Sequence, residues 1–367
     1  MQMRHLTFSF NPLQWFSAFM PIALSFGLNT AHAQTQAWNT ANATNIPAAC
    51  AANVPIYTFD PGAGYTSGNA FLALLASKVA EDTTDAGIKL QLAGFGFSKV
   101  HLIGNIPLGA YGFIAENDDV RILTFRGTHS VQEFLTDLTA GTVPYSDIGL
   151  SGEGHAGMRK SFKDLWPSVQ KDLAARQLTD PKPLIVIGHS LGGSLALIHA
   201  VKLKQLGYDI QAIYTFAEPR LGDATLMAQV DALVGDRLYR MENGEDPVPR
   251  LPPTKENAQA FADVFTAPGT QNNSVIEKTV ENMSYAPLPG WVVELNADGF
   301  AEKHGNSMDY EQELLFFQNY KAKLAHQTID HNIGIEIGKS IFAHIGRAYI
   351  CSFLNLVGKG YEPLSSL

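Results

Sequence analysis

The chain has 367 residues, 46% of them hydrophobic and only 17% charged, which is enough apolar material for a large core in one or two domains. The net charge is −9 and no run of Lys or Arg occurs, which argues against a nucleic-acid surface.

Residues 1–33 have the layout of a secretory signal. Arg4 and His5 make a basic start, residues 15–28 are apolar but broken by Pro21, and Ala31-His32-Ala33 forms an A-x-A cleavage site, so the mature chain is expected to start at Gln34. The apolar run is short for a membrane anchor. Export implies an oxidising compartment, where Cys50 and Cys351 are expected to form a disulfide between the two ends of the mature chain; two unpaired buried thiols are the alternative. Asn42, Asn272 and Asn282 lie in N-x-S/T sequons, which matter only in a glycosylating host.

Residues 34–57 are rich in Ala, Asn, Thr and Gln and read as an extended lead-in. A helix is expected over 69–81, with Phe71, Leu72, Leu75 and Val79 on one face. Strands are expected over 100–106, 111–115 and 120–125, with a polar turn at 116–119. Val131, Phe134, Leu135 and Leu138 then recur at helical spacing. A longer helix spans 158–176, interrupted by Pro167. After a strand at 184–187 and a helix at 191–206 come a strand (210–216), a helix (223–234) and a strand (237–242). The proline-rich loop 246–253 is expected to be non-helical, and 257–289 has no clear pattern. A strand at 291–295 and a helix at 307–325 follow. Strands alternating with helices from about residue 180 imply a mostly parallel sheet covered on both faces, and the early hairpins make it mixed.

The chemistry centres on residues 183–206. A buried-strand run, Leu184 to Ile187, leads into Gly188-His189-Ser190-Leu191-Gly192 and then a long apolar helix, which is the strand–turn–helix setting of a G-x-S-x-G nucleophile turn. The glycines admit a turn too tight for side chains, and Ser190 is lifted over a helix N-terminus that favours negative charge. A serine hydroxyl needs a base, and the base needs an orienting carboxylate. His304 lies in a polar loop with Gly305 and Asn306 between strand and helix; His326, His331 and His344 are its rivals. Asp246 follows the strand 237–242 at its carboxyl end, with Glu242 and Glu245 as rivals. The Leu191 N–H is one oxyanion donor, and Arg126-Gly127-Thr128 at a strand end is a candidate for the second.

Taken together, these blocks resemble the class 3 lipases, the family of filamentous-fungal triacylglycerol lipases and their bacterial relatives. Phe125-Arg126-Gly127-Thr128 is similar to the family's oxyanion block, and Ile187 to Gly193 to its nucleophile block. Thr215 to Asp223 is similar to the Thr-Phe-Gly-x-Pro-Arg-x-Gly-Asn stretch, departing from it at Ala217 and Asp223, and Asp246 to Pro253 is similar to the acid block. His304, followed by Tyr310, falls where the family places its base. The resemblance covers roughly residues 65–325 and implies an α/β-hydrolase fold with a short helical lid. The implied catalytic set is Ser190, Asp246 and His304, with Thr128 and Leu191 as the oxyanion hole, Val131, Phe134, Leu135 and Leu138 on the lid, and no cofactor or metal.

The expected organisation is a signal peptide (1–33), an extended segment (34–64), a hydrolase domain (65–326) and a C-terminal extension (327–367). In the extension, Phe342, Ile345, Tyr349, Phe353 and Leu356 mark one helical stripe, either packed or lipid-contacting. The implied activity is hydrolysis of lipid acyl esters, triacylglycerols foremost, at an oil–water or membrane interface by an exported or periplasmic enzyme, without an obligate protein partner. Phospholipids and soluble esters are alternative substrates, and a catalytically silent lipid-binding homologue is the alternative of another class.

Overall fold

The computed structural model describes residues 59–82, 84–104, 110–127, 141–244, 246–265, 284–295, 301–303, 314–319, 322 and 349–354. The expected signal peptide, Cys50, Thr128, the lid residues Val131, Phe134, Leu135 and Leu138, His304 and the three sequons lie outside them.

Eight strands form one sheet in the order β1-β2-β3-β6-β7-β8-β9-β10. They are β1 (Lys99–Gly104), β2 (Tyr111–Glu116), β3 (Arg121–Phe125), β6 (Leu184–His189), β7 (Ile210–Phe216), β8 (Leu238–Glu242), β9 (Trp291–Glu294) and β10 (Ala301–Lys303). The first three pair antiparallel, β3 to β9 pair parallel, and β10 returns antiparallel on β9. This is the mixed, mostly parallel sheet expected from the sequence. A separate hairpin pairs β4 (Thr142–Pro144) with β5 (Glu153–His155).

Alternation along the central strand sets the two faces. Ile185 and Ile187 of β6 point into one core with Phe71, Phe113 and Tyr214, whereas Leu184 and Val186 point into the other with Leu123, Phe162 and Ile213. On the first face lie α1 (Ser67–Val79), α2 (Asp85–Gly94) and the helical residues 349–354. On the second lie α3 (Ala156–Thr179), α4 (Leu191–Gln205) and α5 (Ala224–Val234). Each fully buried Leu, Ile, Val or Phe contributes about 1.5–3 kcal/mol, so the doubly covered sheet is the main source of stability.

Local signals place the helix ends. The side chains of Thr66, Thr84 and Asp223 cap α1, α2 and α5, each accepting from a backbone N–H three residues on. The helix α3 runs through Pro167. The loop 246–253 differs from its expected non-helical form: Val248–Arg250 make one 3-10 turn. That turn needs donors only at Arg250 and Leu251, whose N–H groups reach the carbonyls of Pro247 (3.0 Å) and Val248 (2.9 Å), so neither proline loses a bond it has to make. Within the unpatterned stretch 257–289, α6 (Ala258–Phe265) is helical.

Candidate active site

Ser190 stands at the junction of β6 and α4, at the carboxyl end of the sheet. It is the N-cap of α4, with φ 57° and ψ −132°, a backbone region that costs a non-glycine residue about 1–3 kcal/mol. Two bonds hold it there: the Ser190 N–H donates to the Phe216 carbonyl (2.8 Å), and the Ser190 carbonyl accepts from Gly193 (2.8 Å). Close packing removes any alternative. A β-carbon on Gly192 would lie 2.4 Å from the Phe125 carbonyl oxygen, and one on Gly127 would lie 3.4 Å from the Ser190 β-carbon. The end of β3 is therefore pressed against the turn. Leu191 is the first residue of α4, where backbone N–H groups lack an intrahelical acceptor and the helix dipole is positive.

Asp246 lies beyond β8, two strands along the sheet from β6 and at the same carboxyl edge. It is fully buried. Its amide donates to the Asn243 carbonyl (2.8 Å), its Oδ1 accepts from the Val248 N–H (2.9 Å), and its Oδ2 accepts from the Tyr349 hydroxyl (2.8 Å). A carboxylate held by such donors is stabilised in its charged form. The rival Glu242 is engaged elsewhere: Arg250 Nη1 lies 2.7 Å from its Oε2, and Arg240 Nη2 lies 3.5 Å from its Oε1. Glu245 and the four candidate base histidines are outside the described residues.

Two residues stand beside the site without the sequence having marked them for it: Tyr349 lies on the stripe of the C-terminal extension and Glu218 within the 215–223 block. Tyr349 belongs to the C-terminal stretch and meets Asp246 across 103 residues of chain. Glu218 is buried against the start of α4, where a β-carbon on Gly193 would stand 3.1 Å from its own. Burial pushes the Glu218 carboxyl up to about 7, offset only in part by the Thr215 hydroxyl and the Arg240 charge. No group of three or more metal-ligating side chains occurs among the described residues.

A strained serine over a helix N-terminus, with a buried carboxylate two strands away, can serve nucleophilic acyl transfer. Residues 122–256, which contain both side chains, match the family model described as Lipase (class 3). This stretch is similar to the class 3 lipases, and the match spans well under half of the chain. Secreted mono- and diacylglycerol lipase A of Penicillium cyclopium is 33% identical over 145 residues, covering 38% of this chain and 46% of that protein. Secreted mono- and diacylglycerol lipase 1 of Fusarium solani is 29% identical over 150 residues, covering 40% and 43%. The chain thus spans just under half the length of the curated relatives it matches. A Rhizopus microsporus var. chinensis lipase of known structure aligns with TM-score 0.43 and 24% identity over 61% of this chain and 72% of that one. Within the matched segment, the departure at Ala217 has a structural counterpart: its φ is 52°, a left-handed conformation that suits the glycine of the family pattern.

Proposed function

We propose that the protein is an exported lipase that hydrolyses acyl esters of glycerol through an acyl-enzyme on Ser190. One observation carries this reading: the strained Ser190 caps α4 at the end of β6, inside the stretch that matches the class 3 lipases. The names of the relatives point to mono- and diacylglycerols, and triacylglycerols belong to the same ester class.

In this reading, Ser190 Oγ attacks the ester carbonyl carbon while His304 takes its proton. The developing oxyanion is met by the Leu191 N–H and by Thr128. The intermediate collapses, the C–O bond breaks, and the departing glyceride alcohol takes the proton from His304. Water, deprotonated by His304, then attacks the acyl-Ser190 ester, releasing the fatty acid and restoring the serine. Asp246 orients His304 and balances its charge. Nothing in this sequence requires a metal or cofactor. Val131, Phe134, Leu135 and Leu138 act as the apolar face of a lid that turns toward lipid at an interface. The Cys351 sulfur is disulfide-bonded, and Cys50 is the partner we assign to it.

The test compares emulsified triacylglycerol, emulsified diacylglycerol, phosphatidylcholine and a soluble short-chain ester, for wild type and Ser190→Ala. Acylglycerol hydrolysis that disappears in Ser190→Ala is expected. Full activity in Ser190→Ala rules out the mechanism, and hydrolysis confined to phosphatidylcholine or to the soluble ester rules out the substrate class. A wild-type protein that neither hydrolyses any of these nor reacts with a fluorophosphonate is a silent homologue. Phe134→Ser should abolish the preference for emulsions; an unchanged preference removes the lid.

A further inference from the structure

Residues 349–354 lie well beyond the stretch that matches the class 3 lipases, yet they are packed into the molecule. Tyr349, Ile350 and Phe353 are fully buried in the core that α1 shares with the sheet, and the Phe353 ring stacks on Phe71 at 5.7 Å and 21°. Cys351, on the same turn, is disulfide-bonded. The segment is therefore held by both packing and a covalent link.

Tyr349 sits between the two halves of the candidate site. Its ring meets His189, the residue before the nucleophile, edge-on at 5.9 Å and 80°. Its hydroxyl accepts from the Asn243 N–H (3.1 Å) and donates to Asp246 Oδ2 (2.8 Å). A hydroxyl that accepts one hydrogen bond is polarised into a stronger donor, and a buried carboxylate that loses a donor pays for its desolvation. Burial and the adjacent Asp246 charge hold the Tyr349 phenol well above its ordinary pKa, so it stays a donor at every pH where an ester hydrolase works.

We propose that Tyr349 is a positioning residue for the acyl-transfer reaction: its hydroxyl fixes the Asp246 carboxylate, which makes the C-terminal segment a working part of the active site. The inference rests on Asp246 being the orienting acid, as in the function proposed above. Seen this way, Asn243, Asp246 and Val248 form one acid loop whose carboxylate is tied on one side to its own backbone and on the other to a side chain delivered from the far end of the chain.

The test uses Tyr349→Phe in the full chain, with a soluble ester followed from about pH 5 to 9 and thermal unfolding measured in parallel. Loss of the hydroxyl should lower kcat about tenfold to a hundredfold while KM stays within about twofold. It should also move the acid limb of kcat/KM to higher pH, because a carboxylate with one donor fewer ionises less readily and leaves a more basic partner. Phe353→Leu loosens the same helix but keeps the hydroxyl, and should keep the wild-type acid limb. Wild-type kcat and acid limb in Tyr349→Phe overturn the proposal, whatever its melting temperature. An equal acid-limb shift in Phe353→Leu also overturns it, since packing alone would then be responsible. Asp246→Asn separates this from the underlying reading: activity retained there removes the acid assignment itself.

Discussion

A β-carbon placed on Gly188 would stand 2.0 Å from the carbonyl oxygen of Gly192. No rotamer relieves such an overlap, because both partners are backbone and Gly192 is itself pressed against the end of β3. Gly188→Ala should therefore destabilise the protein by about 3 kcal/mol or more and abolish hydrolysis, with urea unfolding as the readout. A loss below about 1 kcal/mol would show that the turn has room to shift.

Ala217 follows β7 with φ 52° and no exposed surface. Removing a buried methyl group ordinarily destabilises, and glycine also gains freedom in the unfolded chain, but here the left-handed backbone strain of Ala217 is relieved at the same time. Ala212, buried within β7 itself, has no such strain to relieve and serves as the comparison. Ala217→Gly should cost at least about 1 kcal/mol less than Ala212→Gly. Equal costs for the two would mean that the Ala217 backbone carries no strain.

These two positions show what was legible in the chain. A glycine demanded by a local clash, as at Gly188, and a strand buried on both faces, as at β6, leave their mark within a few residues of sequence. The helix α2 left little, because its buried side is only Gly87, Ile88, Gln91 and Leu92. The hairpin β4–β5, with three residues in each strand, is too short for periodicity to register. The turn at Val248–Arg250 was masked by its prolines, which are compatible with a single 3-10 turn although not with a helix. Asp246 could be singled out by its place after a strand, but its contact with Tyr349 could not, since no local pattern encodes a hydrogen bond across 103 residues.

Glu218 should give the fold a pH dependence on the neutral side. Its carboxyl, ordinarily near 4.5, is pushed up to about 7 by burial, so the folded state holds this proton more tightly than the unfolded chain. The associated stability is fully present below about pH 4.5, declines as pH rises through 7 and levels off above it, at about 1.4 kcal/mol per pH unit within the window. Glu218→Gln cannot ionise. Its stability relative to wild type should rise across that window, read from urea midpoints at several pH values. Curves that stay parallel from pH 5 to about 8 would refute an ionising Glu218.

His199 acts in the opposite direction. It lies on α4 with its ring stacked on Phe125 at 4.2 Å and close to Phe162 and Trp166, and its Nδ1 is 2.7 Å from the Leu195 carbonyl oxygen. That bond requires the proton on Nδ1, and no partner for Nε2 is found among the described residues, so the ring is a neutral aromatic filler. Burial pushes its pKa down from 6.5 to about 3. A depressed histidine leaves its stabilisation intact above pH 6.5, and that stabilisation is lost as pH falls through 6.5 toward 3, where the unfolded chain takes up a proton that the core refuses. His199→Phe keeps the stack and removes the titration. Compared with its standing at about pH 8, the variant should gain about 2 kcal/mol on wild type at pH 5, and more below that. If wild type and His199→Phe lose stability in step as the pH is lowered, another group drives acid unfolding and His199 is not its trigger.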